Sequence, residues 1–177
     1  MEKFLILDRD GIVNVDYGYV SSIEDFKFQP NFRDFLKETT LLGYQTVIFT
    51  NQSGIARGYF TEMKFHKLMS WMNETLIKDG LPAIRYWYCP HYLGGSKTFF
   101  SIECECRKPK VGMLKAIDKY KSIDRNTSVL MGDKKTDILA GKRFKIKNLI
   151  LVEHDENGFI LPRCFEDTLN LMKKISC

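Results

Sequence analysis

The amino-acid sequence predicts an α/β fold in which helices cover both faces of a parallel β-sheet. Short apolar runs alternate along the 177 residues with longer segments whose apolar positions repeat at the helical period. Strand–helix alternation at this spacing is typical of a parallel sheet covered on both faces. Polar residues also cluster directly after three of the apolar runs, and open parallel sheets bind ligands beyond the carboxyl ends of their strands.

The first part of the chain predicts two buried strands with a helix between them. Phe4–Leu7 is a short apolar run, and residues 44–49 form the next one. Pro30 is placed to open the intervening helix and Gly43 to close it. The apolar positions that mark its inner face are Phe32, Phe35, Leu36 and Leu42.

A long amphipathic helix follows. Thr61 is a good N-cap, and Gly80 stands just past the predicted end of the helix. Its apolar positions keep the 3.6-residue period, so we interpret them as core: Phe65, Leu68, Met69, Met72 and Leu76. Residues 84–88 are the third predicted strand.

The remaining elements complete a single Rossmann-like domain over residues 1–177. They are predicted as a helix from Pro109 to about residue 120, a strand at 128–131, a helix at 136–143, a strand at 149–152 and a helix at 165–175. The stretch between Asp8 and Thr50 must already hold a helix and a strand, so there is no room for a large cap domain.

The composition excludes several classes of protein. The net charge of +5 suits an anionic substrate, but the lysines are scattered, so we expect no nucleic-acid partner. No apolar stretch approaches the ~20 residues of a membrane span, and no targeting segment is visible. We therefore expect a cytoplasmic protein with no membrane partner. Its size and the lack of an obvious exposed apolar helix favour a monomer.

Asp8 and Asp10 follow the first predicted strand. Extended geometry would point both side chains to the same side. Two carboxylates this close repel, and one takes up a proton unless a cation intervenes. A divalent cation would leave Asp8 anionic as a nucleophile, while Asp10 could hold and donate a proton. Taken alone, the pair is equally consistent with exposed acids at a strand-to-loop junction.

Two further segments could hold a phosphoryl group. Residues 50–54 offer hydroxyl, amide and backbone N–H donors after the second strand, although a loop held by its own side-chain-to-backbone bonds is the alternative. Arg107 and Lys108 place two cations just before the predicted helix at Pro109, where the helix dipole disfavours them unless an anion is near. A solvated charge pair is the alternative there.

Asp133 follows the fourth predicted strand and completes a possible magnesium site. Hard Mg²⁺ prefers oxygen ligands and keeps several waters, so Asp8, one oxygen of Asp10 and Asp133 would suffice to hold it. Asp137 lies in the next helix. There, a helix cap or a group that orients Lys134 is as consistent with the sequence as a place near the metal.

Cys89 and His91 are separated by residues 92–103 from Cys104 and Cys106. Three thiolates and one imidazole fit a closed tetrahedral Zn²⁺ site, and clustered cysteines in a reducing compartment favour a metal over disulfides. We interpret this zinc loop, at about 89–106, as structural. It would also fix the position of the neighbouring Arg107. The residues left without a role are His66, His154, Cys164 and Cys177.

Together these segments resemble the haloacid dehalogenase superfamily of phosphotransferases, and within it the D-glycero-D-manno-heptose 1,7-bisphosphate phosphatases and the related histidinol-phosphate phosphatases. The matching motifs are Asp8-Arg9-Asp10-Gly11, residues 50–58, Cys106-Arg107-Lys108-Pro109 and Gly132-Asp133. The likeness runs from Lys3 to about Val152 and includes the zinc loop. Ile12 departs from the Thr that usually follows the first motif, at a position not expected to do chemistry.

The resemblance implies a role for each matched residue. Asp8 would be the nucleophile, Asp10 the general acid and then base, and Lys108 the cation that stabilises the transferring phosphoryl group. The implied Mg²⁺ ligands are Asp8, the Asp10 carbonyl, Asp133 and the Lys134 carbonyl. The implied substrate contacts are Asp16, Tyr17, Gly18 and Tyr19 in one loop, with Thr50, Asn51, Gln52, Ser53, Arg107, Lys108 and Lys134.

Hydrolysis is favoured over phosphoryl transfer because small loops leave the site open to water. The leading hypothesis is hydrolysis of the C7 phosphate of heptose 1,7-bisphosphate, which would supply nucleotide-activated heptose for surface polysaccharide. Histidinol-phosphate phosphatase is the alternative, although residues 53–58 are closer to the heptose enzymes. A catalytically silent zinc-stabilised binding domain is a third possibility, which the complete set Asp8, Asp10, Lys108 and Asp133 disfavours.

Overall fold

A computed structural model describes residues 1–176 and confirms the predicted fold class. Five strands form one parallel sheet in the order β3-β2-β1-β4-β5. Their bounds are β1 Phe4–Leu7, β2 Gln45–Asn51, β3 Arg85–Cys89, β4 Val129–Gly132 and β5 Asn148–Leu151. From β1 the chain adds β2 and β3 on one side and then β4 and β5 on the other side. The β1–β4 pair is therefore the switch point where such sheets bind ligands.

Helices connect the strands and cover both faces. Their bounds are α1 Phe32–Leu41, α2 Gly54–Arg57, α3 Glu62–Lys78, α4 Gly112–Tyr120, α5 Lys135–Arg143 and α6 Pro162–Ser176, with a 3₁₀ helix at Thr98–Phe100. Thr61 caps α3 as predicted, because its hydroxyl accepts a hydrogen bond from the Lys64 N–H at 3.1 Å. Within the described residues, no helix is long and apolar enough to cross a membrane.

The residues of β1 alternate between two apolar clusters, one on each face of the sheet. Leu5 and Leu7 belong to the cluster that α1, α3 and α6 cover, whereas Phe4 and Ile6 belong to the one that α4 and α5 cover. All four side chains are fully buried. Because burying such a side chain contributes about 1.5–3 kcal/mol, the central strand is a rigid base for the residues that follow it.

The predicted helix start at Pro109 is wrong, since α4 begins only at Gly112. Before it the chain turns: the Lys110 N–H donates to the Arg107 carbonyl at 2.8 Å, and the Gly112 N–H donates to the Glu105 carbonyl at 2.8 Å. These bonds hold the segment against the preceding loop. The argument that a helix dipole acts on the cations before Pro109 therefore does not apply.

Three smaller differences concern the helices. Helix α1 begins at Phe32 rather than at Pro30, because Asn31 adopts a left-handed conformation at the N-cap (φ 62°). Helix α6 begins at Pro162 rather than at residue 165. The short helix α2, Gly54–Arg57, was not predicted, since four residues are too few to show a helical period. These differences leave the strand ends in place.

Candidate active site

Asp8 stands at the first position after β1, beside the end of β4. Its N–H donates to the Met131 carbonyl at 3.1 Å, which continues the pairing of the two strands. Gly11 follows in a left-handed conformation (φ 85°), and a Cβ there would lie 2.5 Å from Asp133 Oδ2. Only glycine therefore allows this loop to turn so close to the second acidic segment.

Three carboxylates and one ammonium group meet at this point. Oxygens of Asp8, Asp133 and Asp137 all lie within 4.8 Å of one another. The Nζ of Lys108 is 3.0 Å from Asp8 Oδ1 and 2.7 Å from Asp137 Oδ1. Asp8 is only 4% exposed and Lys108 only 3%. One buried cation thus faces three acidic side chains, which leaves an excess of negative charge.

Burial, together with this excess charge, shifts the protonation equilibria. Burial raises the pKa of Asp8 to about 7, and Asp137, Asp133 and Asp10 add to the shift while Lys108 opposes it. Burial also raises the pKa of Asp133. For Lys108, burial alone would lower the pKa, but the charges of Asp8 and Asp137 raise it above the ordinary value, so the side chain is an ammonium ion.

A divalent cation fits this arrangement. The Oδ1 of Asp133 is buried without a hydrogen-bond partner among the residues that the structure describes. Carboxylate oxygens are the ligands that Mg²⁺ prefers, and a cation would remove the repulsion that raises the pKa of Asp8. The Lys134 carbonyl, which the resemblance implies as a further ligand, accepts a hydrogen bond from the Asp137 N–H at 3.0 Å.

Asp137 combines two positions that the sequence left as alternatives. Its Oδ2 accepts a hydrogen bond from the Lys134 N–H at 2.9 Å, which caps the start of α5. Its Oδ1 contacts Lys108, so it also belongs to the carboxylate cluster. Gly132 permits this approach, because a Cβ at that position would lie 2.4 Å from the Cβ of Asp137.

The side chain of Asp10 is held outside this cluster by a separate set of donors. Its Oδ1 accepts hydrogen bonds from Arg9 Nη2 at 2.6 Å and Asn14 Nδ2 at 3.1 Å, and its Oδ2 accepts one from Gln52 Nε2 at 2.9 Å. Burial would raise the pKa of Asp10, but Arg9 and these hydrogen bonds lower it below its ordinary value. Asp10 is therefore a carboxylate at neutral pH.

The last residues of β2 and Gln52, which follows the strand, connect these two groups. The Oδ1 of Asn51 accepts a hydrogen bond from the Lys108 N–H at 3.0 Å, and its Nδ2 donates to the Lys108 carbonyl at 3.2 Å. Gln52 Nε2 also donates to the hydroxyl of Thr50 at 3.0 Å. The amides of Asn51 and Gln52 are thus already engaged, and they position Lys108 and Asp10.

A cleft of about 410 Å³ opens beside these residues. Its lining includes most of the implied substrate contacts: Asp16, Gly18, Tyr19, Asn51, Gln52, Ser53, Arg107, Lys108 and Lys134. Tyr17 does not line it and is 59% exposed. Lys134 Nζ lies 3.2 Å from Asp16 Oδ2 and 3.5 Å from Asp133 Oδ2, so it joins the loop after β1 to the carboxylate cluster.

The predicted Cys₃His set also comes together, at the same edge of the sheet. The Sγ of Cys89, the last residue of β3, is 3.5 Å from that of Cys104 and 3.0 Å from that of Cys106. His91 Nδ1 is 3.3 Å from Cys106 Sγ. No disulfide joins these cysteines. Zn–S bonds of ~2.3 Å in a tetrahedron separate the sulfurs by roughly 3.8 Å, so the group is close to the size of a metal site.

The remaining cysteines lie apart from this group. Cys164 lies in α6, and Cys177 is outside the described residues. Arg107 is held by the loop as predicted, since its Nη1 donates to the His91 carbonyl at 3.2 Å.

Several contacts at the site were not predicted. Arg9, which binds Asp10, has a visible signal, because it stands between the two aspartates. His154 has none: its Nε2 lies 2.7 Å from the Gly11 carbonyl, across 143 positions of sequence. Gln29 Nε2 donates to the same carbonyl at 3.3 Å. Segments remote in sequence therefore fix the loop after Asp8.

Comparison with known proteins agrees with this architecture. A sequence model of the family described as Polynucleotide kinase 3 phosphatase matches residues 4–152. A D-glycero-beta-D-manno-heptose-1,7-bisphosphate 7-phosphatase of Pasteurella multocida is 47% identical over 153 residues, which are 86% of this chain and 83% of that protein. A protein of the same name from Escherichia coli K12 is 41% identical over 84% of this chain and 78% of its own.

Solved structures are similar as well. A HAD-like phosphatase of Mesorhizobium loti has a TM-score of 0.86 and 30% identity, over 98% of this chain and 87% of its own. The D,D-heptose 1,7-bisphosphate phosphatase of B. bronchiseptica, solved with magnesium and phosphate, has a TM-score of 0.70 and 30% identity, over 80% and 75%. The fold and site thus define a haloacid dehalogenase-type phosphatase. Within that class, the chain belongs to the D-glycero-D-manno-heptose-1,7-bisphosphate 7-phosphatase family.

Proposed function

We propose that this protein hydrolyses the C7 phosphate of D-glycero-D-manno-heptose 1,7-bisphosphate, for the synthesis of nucleotide-activated heptose and surface polysaccharide. The observation that carries the proposal is the buried group of Asp8, Lys108 and Asp133 beside a cleft that Arg107 and Lys134 also line. A carboxylate and several cations around one cleft support the attack of a nucleophile on a bound phosphate. The names of the relatives supply the sugar.

In this proposal Asp8 is the nucleophile. Its carboxylate attacks phosphorus, the bond from phosphorus to the sugar oxygen breaks, and that oxygen leaves with the electron pair and takes a proton from Asp10. Lys108 stabilises the charge on the transferring phosphoryl group, which its 3.0 Å distance from Asp8 allows. Bound by Asp8, the Asp10 carbonyl, Asp133 and the Lys134 carbonyl, Mg²⁺ would supply charge neutralisation to the carboxylate and to the phosphoryl oxygens.

Asp10 acts in both halves of the reaction. Because its pKa is low in the free protein, it must gain its proton together with the substrate, whose dianionic phosphate favours protonation of a neighbouring acid. After the sugar leaves, Asp10 is a carboxylate again and can take a proton from water. That water attacks the phosphorus of the phosphoaspartate, the bond to Asp8 breaks, and inorganic phosphate is released.

The remaining contacts are assigned by their place in the cleft. We assign Ser53 to the reacting phosphate, and Arg107 and Lys134 to the rest of the substrate. Thr50 is assigned to the reacting phosphate on the resemblance alone, because it is buried and does not line the cleft. Asp16, Gly18 and Tyr19 would face the sugar as the implied substrate loop does, whereas the exposed Tyr17 has weaker support. The amides of Asn51 and Gln52 are proposed to orient catalytic groups instead, because both are already bonded to them.

We further propose that Zn²⁺ fills the Cys₃His group, and that the single domain of residues 1–177 acts as a cytoplasmic monomer without nucleic acid. The spacing of the three sulfurs and the histidine nitrogen supports the zinc assignment. A closed set of four protein ligands leaves no position for a substrate, so this metal would be structural.

A panel of phosphate esters tests the proposed function. It contains both anomers of heptose 1,7-bisphosphate, histidinol phosphate and an oligonucleotide with a 3′-phosphate, compared by kcat/KM with Mg²⁺ present. We expect one bisphosphate anomer to exceed histidinol phosphate and the oligonucleotide by about 100-fold or more. A preference for either of the other two esters would overturn the proposed substrate.

A further inference from the structure

Two guanidinium groups lie over one aromatic ring at the edge of the zinc loop. The Cζ of Arg57 is 3.8 Å from the ring centroid of Tyr92, and the Cζ of Arg107 is 5.2 Å from it. Both distances suit cation–π contacts, which arginine makes readily because its guanidinium is planar. One tyrosine of the loop thus contacts two positively charged side chains.

These two charges are not neutralised by the protein. Among residues 1–176, no carboxylate oxygen lies within 4.0 Å of the guanidinium of Arg57 or Arg107. The buried Nε of Arg57 also has no hydrogen-bond partner within these described residues. Two guanidinium groups that contact one ring and have no carboxylate partner are expected where an anion binds.

The backbone that carries the Tyr92 ring is itself held in place. The Tyr92 N–H donates to the Phe100 carbonyl at 3.2 Å, and Tyr92 directly follows the zinc-group residue His91. The loop is also attached to α2, since Ser96 Oγ donates to the carbonyl of Arg57 at 2.7 Å. One loop therefore contacts both the backbone and the side chain of Arg57.

We propose that Tyr92 is a specificity-determining positioning residue, whose ring holds Arg57 and Arg107 in place to bind the second phosphate of a sugar bisphosphate. The inference rests on the proposed function. Arg107 lines the cleft that also contains Lys108, so a substrate whose first phosphate meets the carboxylate cluster can direct its second phosphate to Arg107, which shares the Tyr92 ring with Arg57. Guanidinium groups bind a phosphate oxygen pair through two parallel hydrogen bonds, so their orientation matters.

The proposal is tested by the preference for two phosphates over one. The preference is the ratio of kcat/KM for heptose 1,7-bisphosphate to kcat/KM for heptose 7-phosphate, which lacks the second phosphate. In Tyr92→Leu we expect this ratio to fall about tenfold, through a higher KM for the bisphosphate. Tyr92→Phe keeps the ring and should keep the ratio within about twofold. Tyr120→Leu is the matched control, because Tyr120 packs under Arg85 (4.6 Å) in an arginine–tyrosine pair that does not line the cleft.

A second variant guards against misfolding. Arg57→Gln removes one guanidinium and should lower the same ratio as Tyr92→Leu, with thermal unfolding measured for each variant. An unchanged ratio in Tyr92→Leu, whether or not kcat/KM falls equally for both sugars, would overturn the inference while leaving the proposed function intact. Failure of the unmodified protein to hydrolyse the bisphosphate would instead overturn the proposed function, and the inference with it.

Discussion

The two groups of metal-ligating side chains at the sheet edge are built in opposite ways. The carboxylate cluster of Asp8, Asp133 and Asp137 lies at the β1–β4 switch point, nearly buried, with one buried lysine, Lys108, and a more exposed one, Lys134, beside Asp133. The Cys₃His group joins the end of β3 to a loop and is only partly buried. The first offers three acidic side chains and borders an open cleft, whereas the second has four ligands from the chain itself.

This difference fits the proposed division between a site that does chemistry and one that holds a loop in place. A closed set of four ligands leaves no position for a substrate and so contributes to folding. An incomplete set of hard oxygen ligands keeps positions for water and phosphate, and its excess charge is unfavourable until a cation binds. The two groups should therefore respond to substitution in opposite ways.

The largest effect is expected at Asp8. Asp8→Asn should lower kcat by about 10⁴-fold or more, because the amide cannot form the phosphoaspartate, while thermal unfolding changes little or shifts upwards. The matched control is Asp34→Asn, an exposed acid in the first turn of α1, which should keep its activity. An Asp8→Asn protein that retains activity would show that the carboxylate cluster is not the catalytic one.

Removing Mg²⁺ should abolish activity reversibly, and its effect on stability should depend on pH. The pKa of Asp8 in the metal-free folded protein is about 7, above the ordinary 3.8. Below about pH 4 the Asp8 carboxyl is protonated in both the folded and the unfolded protein, so burying it costs no ionisation energy. As the pH rises through about 7, the folded protein must hold a buried carboxylate, and this part of its stability is lost. Because Mg²⁺ binds the ionised form, it should raise Tm more at about pH 8 than at about pH 5.5.

The test is to measure Tm as a function of Mg²⁺ concentration at the two pH values. In Asp8→Asn the difference between them should shrink, since the group that titrates has been removed. An equal effect of Mg²⁺ at both pH values in the unmodified protein would separate the metal from Asp8.

A substitution in the Cys₃His group should act mainly on stability. Cys104→Ala removes one of four ligands and should destabilise the fold by roughly 3 kcal/mol, which lowers Tm by about 6–12 °C. The turnover number of the protein that remains folded should fall far less than in Asp8→Asn. Elemental analysis completes the test, because a purified protein without zinc would remove the basis of the expectation.

The smallest effect is expected at His154. His154→Ala removes one of the two donors to the Gly11 carbonyl, so the loop after Asp8 should loosen and the apparent affinity for Mg²⁺ should drop by about tenfold. His66→Ala is the control, since His66 bonds only to the hydroxyls of Tyr86 and Tyr88. Equal Mg²⁺ affinities in the two variants would assign His154 a purely structural role.

The sequence predicted those features that depend on local pattern. All five strands were located to within one or two residues, because apolar runs bounded by turns are visible in the sequence. The meeting of Asp8 and Asp133 followed from parallel topology, which brings strand ends to one edge, whereas Lys108 reaches that edge from the segment after the zinc loop. The two metal groups could likewise be listed from residue type and spacing.

Contacts set by packing could not be predicted. The bonds between Asn51 and the Lys108 backbone, or between His154 and Gly11, join segments far apart in sequence and leave no periodic trace. The helix start at Pro109 was wrong because turn bonds to Glu105 and Arg107 compete there with the helical signal of proline. Asp137 both caps α5 and belongs to the carboxylate cluster, because its two oxygens contact different partners.

The central claim, that the carboxylate cluster reacts through Asp8, is tested most directly by trapping the intermediate. Asp10→Asn lacks the base that hydrolyses the phosphoaspartate, and p-nitrophenyl phosphate has a leaving group that needs no proton, so the intermediate should accumulate. After an acid quench, mass spectrometry should find one phosphoryl group on the peptide that contains Asp8. A phosphoryl group on another residue, or release of p-nitrophenol without any labelled peptide, would contradict the account.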